Sequence, residues 1–258
     1  MQSNRNNSLD PISICNWRWA YFLDQTIKGF SIFQSIPYPI DNDFLFRESF
    51  FGSSSNPKKV ILETWGLKTE KIRQARCACL QAGEKTSVMN LVISPCNNYD
   101  LPFFGADFVT LPNGHLIALD LQPALKDDIT HTQYVLGKLN SIHSNWQSKL
   151  PSGGDIPSEA QQYFSPAFLW SRIPLGDEGD HLISQVIKPA FDDYLNCFLD
   201  LVTNASRIST ERSSKLLNGQ KKYMRYRAEK DPARGMLRGF FGNLWTERYI
   251  NHILFDLQ

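Results

Sequence analysis

The sequence has no surplus of either charge: 27 Lys and Arg stand against 26 Asp and Glu in 258 residues, a formal net charge of +1. A general nucleic-acid binder normally carries a strong basic excess, so the balance argues against that class. Cysteine is scarce, and its five positions, Cys15, Cys77, Cys79, Cys96 and Cys197, are odd in number and scattered. That is not the even framework of a small secreted disulfide protein. Cys77 and Cys79 would share one face of a strand, but no further ligands follow at zinc or iron–sulfur spacing, so a structural role is expected for both. No run of ~18 apolar residues is present to span a membrane. The opening MQSNRNNSLDPIS has no apolar core of a signal peptide, so the reducing interior of a cell or plastid is the expected setting. The glycine-rich dinucleotide fingerprint, the P-loop, H-E-x-x-H and the G-x-S-x-G elbow are all missing. If the chain does redox chemistry, it gives no sign of carrying its own flavin, nicotinamide or metal.

What is present is a chain 42% apolar and 12% aromatic, enough for a packed core. The first ten residues read as a flexible tail. Asp10-Pro11 reads as an N-cap and first helical position, opening a helix to about Lys28 that buries Trp17, Trp19, Phe22 and Leu23. Residues 30–57 look irregular, with GSSSNPKK as a loop tip. Val60 to Leu67, Ile72 to Leu80, Ser87 to Ser94, Phe103 to Thr110 and His115 to Leu121 then form five short β-type segments separated by turn formers. Their connections are too short for crossover helices, so the strands should be antiparallel. After Pro123 the period turns helical: His131 to Leu150, Leu182 to Thr203, Glu211 to Lys230 and Met236 to Phe255, the last two broken near Pro232. A block of strands followed by helices predicts one α+β domain over residues 1–258. Nothing suggests more than a monomer.

Two carboxylates stand out. In LPFFGADFVT, Gly105, Asp107 and Val109 share one strand face while Phe104, Ala106 and Phe108 share the other. Asp107 is then either a solvated edge carboxylate or a buried one facing something that needs a proton. Asp120 repeats the pattern in the next strand and is read as solvated. Asp231 precedes Pro232, where the chain leaves the α region, and by itself reads as the N-cap of the following helix. The run QKKYMRYRAEK, Gln220 to Lys230, carries five basic residues and one acidic one, ordinarily a solvated helix face.

ETWGLKTEKIRQAR, VMNLVISP, YDLPFFGADFVTLPNGHLIALDLQP, FSPAFLWSRIPLGDEGD, PAFDDYL and YRAEKDPARGML, closed by YINHILFDL, resemble the ferredoxin-dependent bilin reductases over nearly the whole chain. The resemblance implies a three-layer α/β/α sandwich, an antiparallel sheet between helices, with the open-chain tetrapyrrole between the sheet and the C-terminal helices. It implies an enzyme without a bound cofactor: a reduced 2Fe-2S ferredoxin supplies electrons singly, the bilin passes through radical states, and carboxyl groups supply protons. On that footing Asp107 and Asp231 become the expected proton donors, and Arg172 the partner of a substrate propionate. Asn90 stands where the phycocyanobilin-forming branch has a catalytic histidine, so it is assigned to positioning bilin. The nearest branch makes phycoerythrobilin, which implies two-electron reduction of 15,16-dihydrobiliverdin at the A-ring diene system. Substrate would then come from a dihydrobiliverdin-producing reductase. Four-electron reduction of biliverdin, or a carrier or lyase without redox chemistry, are the alternatives. The basic run could meet propionates or acidic ferredoxin, in a cyanobacterial cytoplasm or a plastid stroma.

Overall fold

The computed structural model describes residues 5–256. In chain order the elements are α1 (Ala20–Phe30), β1 (Ile36–Pro37), α2 (Asn42–Leu45), β2 (Phe46–Ser53), β3 (Asn56–Lys68), β4 (Ile72–Ala82), β5 (Thr86–Pro95), β6 (Phe103–Leu111) and β7 (Gly114–Gln122). There follow α3 (Ile129–Gln147), α4 (Ser158–Gln161), β8 (Leu169–Ile173) and α5 (Asp177–Leu182), then a π-helical turn (Ile183–Ile187) that runs into α6 (Lys188–Asn204). The chain closes with α7 (Thr210–Lys230), α8 (Arg234–Phe241), α9 (Asn243–Tyr249) and a second π-helical turn (Ile250–Leu254).

Eight strands form one sheet in the order β1-β3-β4-β5-β6-β7-β8, with β2 also paired to β3, and every pairing is antiparallel. The α+β class and the three layers are as expected from the strand block and the helical remainder. Alternation along each strand divides the side chains between two cores. One packs Trp65, Cys77, Leu91, Phe104, Ala106 and Phe108 against α1, α3 and α6. The other packs Leu62, Ala78, Leu80 and Phe103 against α7, α8, α9 and the last π-helical turn.

Several expectations need correction. Residues 5–10 are not a free tail, and residues 1–4 lie outside the described part. Arg5 is buried and reaches Glu63 at 3.5 Å, and Ser8 Oγ donates to the carbonyls of Gly66 and Tyr38. Glu63, fully buried, also accepts from Ser13 N and Oγ, so a strap across β3 satisfies a carboxylate that could not otherwise be buried. Asp10 closes a turn by accepting from Asn6 N and Asn7 N, which takes it away from capping, and the helix starts only at Ala20. Trp17, Trp19, Phe22 and Leu23 are buried as expected.

The polar run 52–59 is the tip of a β2–β3 hairpin rather than a loop between irregular segments. No alternation marks it because residues 52–59, at the tip, are all exposed. The edge strand β8 was not foreseen at all. The last predicted helix is three pieces, interrupted at Gly242, whose φ of +83° is open to glycine and strained for other residues. The sulfur atoms of Cys77 and Cys79 lie 3.5 Å apart, and no group of three or more potential metal ligands exists among the described residues. No helix among them is long and apolar enough to cross a membrane.

Candidate active site

The cleft lies on the C-terminal helix side of β4 to β7. Register there places Ala78 opposite Asn90, Asn90 opposite Asp107, and Asp107 opposite Ala118, one row across four strands with all four side chains on one face. Arg76 and Gly105 belong to the next row, in which Arg76 faces Val92, Val92 faces Gly105, and Gly105 faces Asp120. Along β6 the residues turned to the opposite core are sealed, whereas Gly105, Asp107 and Val109 each keep partial exposure. Asp107 is therefore wrapped by protein but open toward the cleft.

α7 supplies the facing wall. Tyr223 and Met224 are buried, and Tyr223 stacks on Phe103 with ring centroids 4.6 Å apart. The Tyr223 hydroxyl donates to Gln122 Oε1 and receives Arg227 Nη1 at 3.4 Å. Gly105 makes room for Gln122, since a Cβ there would stand 3.0 Å from that same Oε1. α7 ends at Asp231, in the non-helical conformation that Pro232 demands (φ −59°, ψ 115°). Its Oδ1 accepts from Ala233 N at 2.9 Å, while Oδ2 is buried without a partner. Helix α8 begins at Arg234 with Ala233 as its N-cap, so Asp231 closes the turn between helices and is not the N-cap expected of it.

Burial raises the Asp107 carboxyl above the ordinary carboxylate range. Arg227, the Asn90 amide and Arg76 pull it back, while the negative charge of Asp231 pushes it further up. Burial likewise raises Asp231, against the Ala233 N–H and the charges of Arg227, Arg76 and Arg234. The two acids thus sit in the field of the same two guanidiniums, Arg76 and Arg227. Those guanidiniums flank one ring, Phe255, at 5.7 and 5.3 Å from its centroid. Neither carboxylate has an ion-pair partner within 4 Å among the described residues. This arrangement suits general acid catalysis on an extended apolar ligand with polar ends.

The ferredoxin-dependent bilin reductase family model matches residues 24–256. The chain belongs to this family. The reductase is 82% identical to the phycoerythrobilin:ferredoxin oxidoreductase of Prochlorococcus marinus strain NATL2A over the full length of both chains. It is 56% identical to the protein of that name from Synechococcus sp. strain RCC307, over 100% of this chain and 98% of the relative. Among solved structures, a phytochromobilin synthase from tomato in complex with biliverdin superposes with a TM-score of 0.79 at 25% identity, covering 92% of this chain and 81% of that one. The reductase is thus a ferredoxin-dependent oxidoreductase acting on a bilin.

The fold brings three of the four expected site residues, Asn90, Asp107 and Asp231, close together: Asn90 lies opposite Asp107, and the charge of Asp231 acts on the Asp107 carboxyl. Arg172 stands apart. It lies on the edge strand β8, exposed, on the same sheet face two residues along from the Asp107 row, with its guanidinium 5.9 Å from the Trp170 ring centroid. Trp170 continues a partly exposed ladder of near-parallel rings with Phe168 and Phe164. Asp120 is not solvated: it is 1% exposed and accepts from Ser165 N at 2.8 Å and Ser165 Oγ at 2.5 Å, and burial pushes its carboxyl up to about 7. Within the basic run, Arg227 turns to the cleft while Lys221, Lys222, Arg225 and Lys230 are exposed. A groove of about 790 Å³ runs between α7 and residues 123–128, lined by Lys126, Lys215 and Lys222 together with Asp127 and Asp128. Sequence reasoning missed Arg76, Gln122 and Tyr223. Nothing in their local sequence marks them, because each matters only through a partner far along the chain.

Proposed function

We propose that this reductase converts 15,16-dihydrobiliverdin to phycoerythrobilin by adding two electrons and two protons to the A-ring diene system. The observation that carries this reading is the pair Asp107 and Asp231: two acids raised by burial, unpaired, and facing one cleft. Burial favours the neutral form of each, and in that form each can deliver a proton to a bilin carbon as charge accumulates there. Electrons arrive one at a time from a reduced 2Fe-2S ferredoxin, so the bilin passes through a radical between the two proton transfers. Each carboxylate is reprotonated from solvent at the open side of the cleft. Asn90 offers hydrogen bonds to the bilin lactams and, lacking a titratable proton, leaves acid chemistry to the aspartates. The exposed Arg172 fork on the edge strand suits a propionate. The exposed cations of α7 and the Lys126 groove suit an acidic ferredoxin, whose binding would weaken with salt. The substrate has to be supplied by a reductase that has already saturated the 15,16 bond of biliverdin.

The test is anaerobic incubation with reduced ferredoxin and either 15,16-dihydrobiliverdin or biliverdin, with pigments identified by absorbance and chromatography. Turnover of dihydrobiliverdin alone is expected. Conversion of biliverdin to phycoerythrobilin would replace the two-electron reading with the four-electron one. Binding without turnover of either pigment would make the chain a carrier.

A further inference from the structure

Arg76 takes no part in the reading above, yet its environment is unusual. It is fully buried on β4, and no carboxylate comes within ion-pair distance of it among the described residues. A buried cation is costly unless its donors are satisfied. Here Nε and Nη2 both donate to the Leu254 carbonyl, at 3.1 and 2.9 Å, and Nη1 donates to Asn90 O at 2.9 Å and Asn90 Oδ1 at 2.5 Å. The Leu254 carbonyl is available because it ends a π-helical turn and has no following helical N–H to receive. Two distant pieces of chain therefore hold one guanidinium in place.

The consequence runs to Asp107. A guanidinium has donors only, so the end of the Asn90 amide that meets it has to be the oxygen. That leaves the NH2 end of Asn90 for its register partner, Asp107. The geometry points to Arg76 as a positioning residue that sets the amide orientation of Asn90 and thereby keeps a hydrogen-bond donor on Asp107. Arg76 itself never touches the cleft. If the amide were free to flip, its oxygen would face Asp107 and favour the protonated carboxyl, making it a more reluctant donor. The charged groups acting on Asp107 are Arg76 from β4, Arg227 from α7 and Asp231 just beyond its end. Its neighbours across β5 and β7, Asn90 and Ala118, bring no charge. Removing the Arg76 anchor thus works in one direction only.

This inference rests on Asp107 being a proton donor, and the experiment separates the two ideas. Turnover is measured against pH at saturating bilin and ferredoxin for the wild type, Arg76→Lys, Asn90→Ala, the double variant and Asp107→Asn. Lysine keeps the charge but replaces the three separate nitrogens that divide between Leu254 and Asn90 with one. The alkaline limb of the profile in Arg76→Lys is expected to move up by roughly 0.5–1 pH unit. Asn90→Ala should move it similarly, and the double variant no further, because both act through one amide. A uniform loss at all pH values with the limb unmoved, or shifts that add, would overturn the positioning role. Should Arg76→Lys fail to fold, an unmoved limb in Asn90→Ala overturns it equally. Full activity in Asp107→Asn would instead remove the donor reading on which it stands.

Discussion

Strand β6 builds two different environments from alternate residues of one stretch. Phe104, Ala106 and Phe108 point to the layer of α1, α3 and α6 and are sealed. There Phe108 lies 4.7 Å from Phe22 and 5.6 Å from Trp19 between ring centroids, and Phe104 meets Phe191 edge-on at 5.7 Å. Gly105, Asp107 and Val109 point the other way and stay partly open. On that side the sheet carries Thr64, Gln74, Arg76, Asn90, Asp107, Asp120 and Gln122, each bound to partners on other elements or facing the cleft. The Thr64 hydroxyl, for instance, donates to Phe44 O and so takes its bond from the Tyr249 hydroxyl as acceptor. The first face supplies packing alone, whereas the second carries these polar groups beside a second apolar core. Rigid backing holds Asp107 at its height in the cleft without the acid paying for itself in packing.

Three substitutions would break or sharpen this contrast. The largest effect is expected from Asp107→Asn, an isosteric change on the open face. Turnover with reduced ferredoxin should fall by about 10²–10⁴-fold, bilin affinity should stay within a few-fold, and the melting temperature should hold or rise. Unimpaired turnover would erase the distinction between the faces.

On the sealed face, Phe108→Ala should act in reverse. It removes a ring from the Trp19–Phe22–Phe191 cluster and should cost about 3–5 kcal/mol in denaturant unfolding, with the chemical step little changed at a temperature where the variant is folded. A variant of normal stability but low turnover would mean that the sealed face takes a direct part in catalysis.

The smallest effect concerns Asp120, a carboxyl of the cleft face that is bound like a core group. Its folded-state value, about 7, lies above the ordinary value of 3.8. The folded state therefore holds more protons than the unfolded one between these values, and stability should fall as pH rises from about 4 to about 7. Asp120→Asn keeps an acceptor for Ser165 N and should flatten that slope, recovering up to a few kcal/mol at neutral pH. Unfolding midpoints at pH 5 and 7.5 check this, and an equally steep fall in the variant would assign the dependence to Asp107 or Asp231.

Much of the architecture was legible in the chain. The five central strands, their antiparallel pairing and the helical remainder follow from period and turn residues, which short-range sterics impose. The edge elements were not legible. The tip of the β2–β3 hairpin, residues 52–59, is exposed, and β8 is five residues long, so neither repeats a hydrophobic period long enough to read. The N-terminal strap was missed for a related reason: Arg5 and Ser8 look like tail residues until Glu63 and the Gly66 carbonyl are put beside them.

For the site, the chain alone determined that Asp107 interrupts an apolar strand and that Asp231 stands at a forced helix end, because alternation and proline geometry are local rules. Family resemblance gave those two acids a shared meaning. Only the tertiary structure decided that they sit in one electrostatic field, that Asn90 lies directly opposite Asp107, and that a buried arginine, tied to the last turn of the chain, sets which end of that amide faces the acid. Strand register and helix docking are settled by the burial of whole faces, and no local stretch of sequence contains that information.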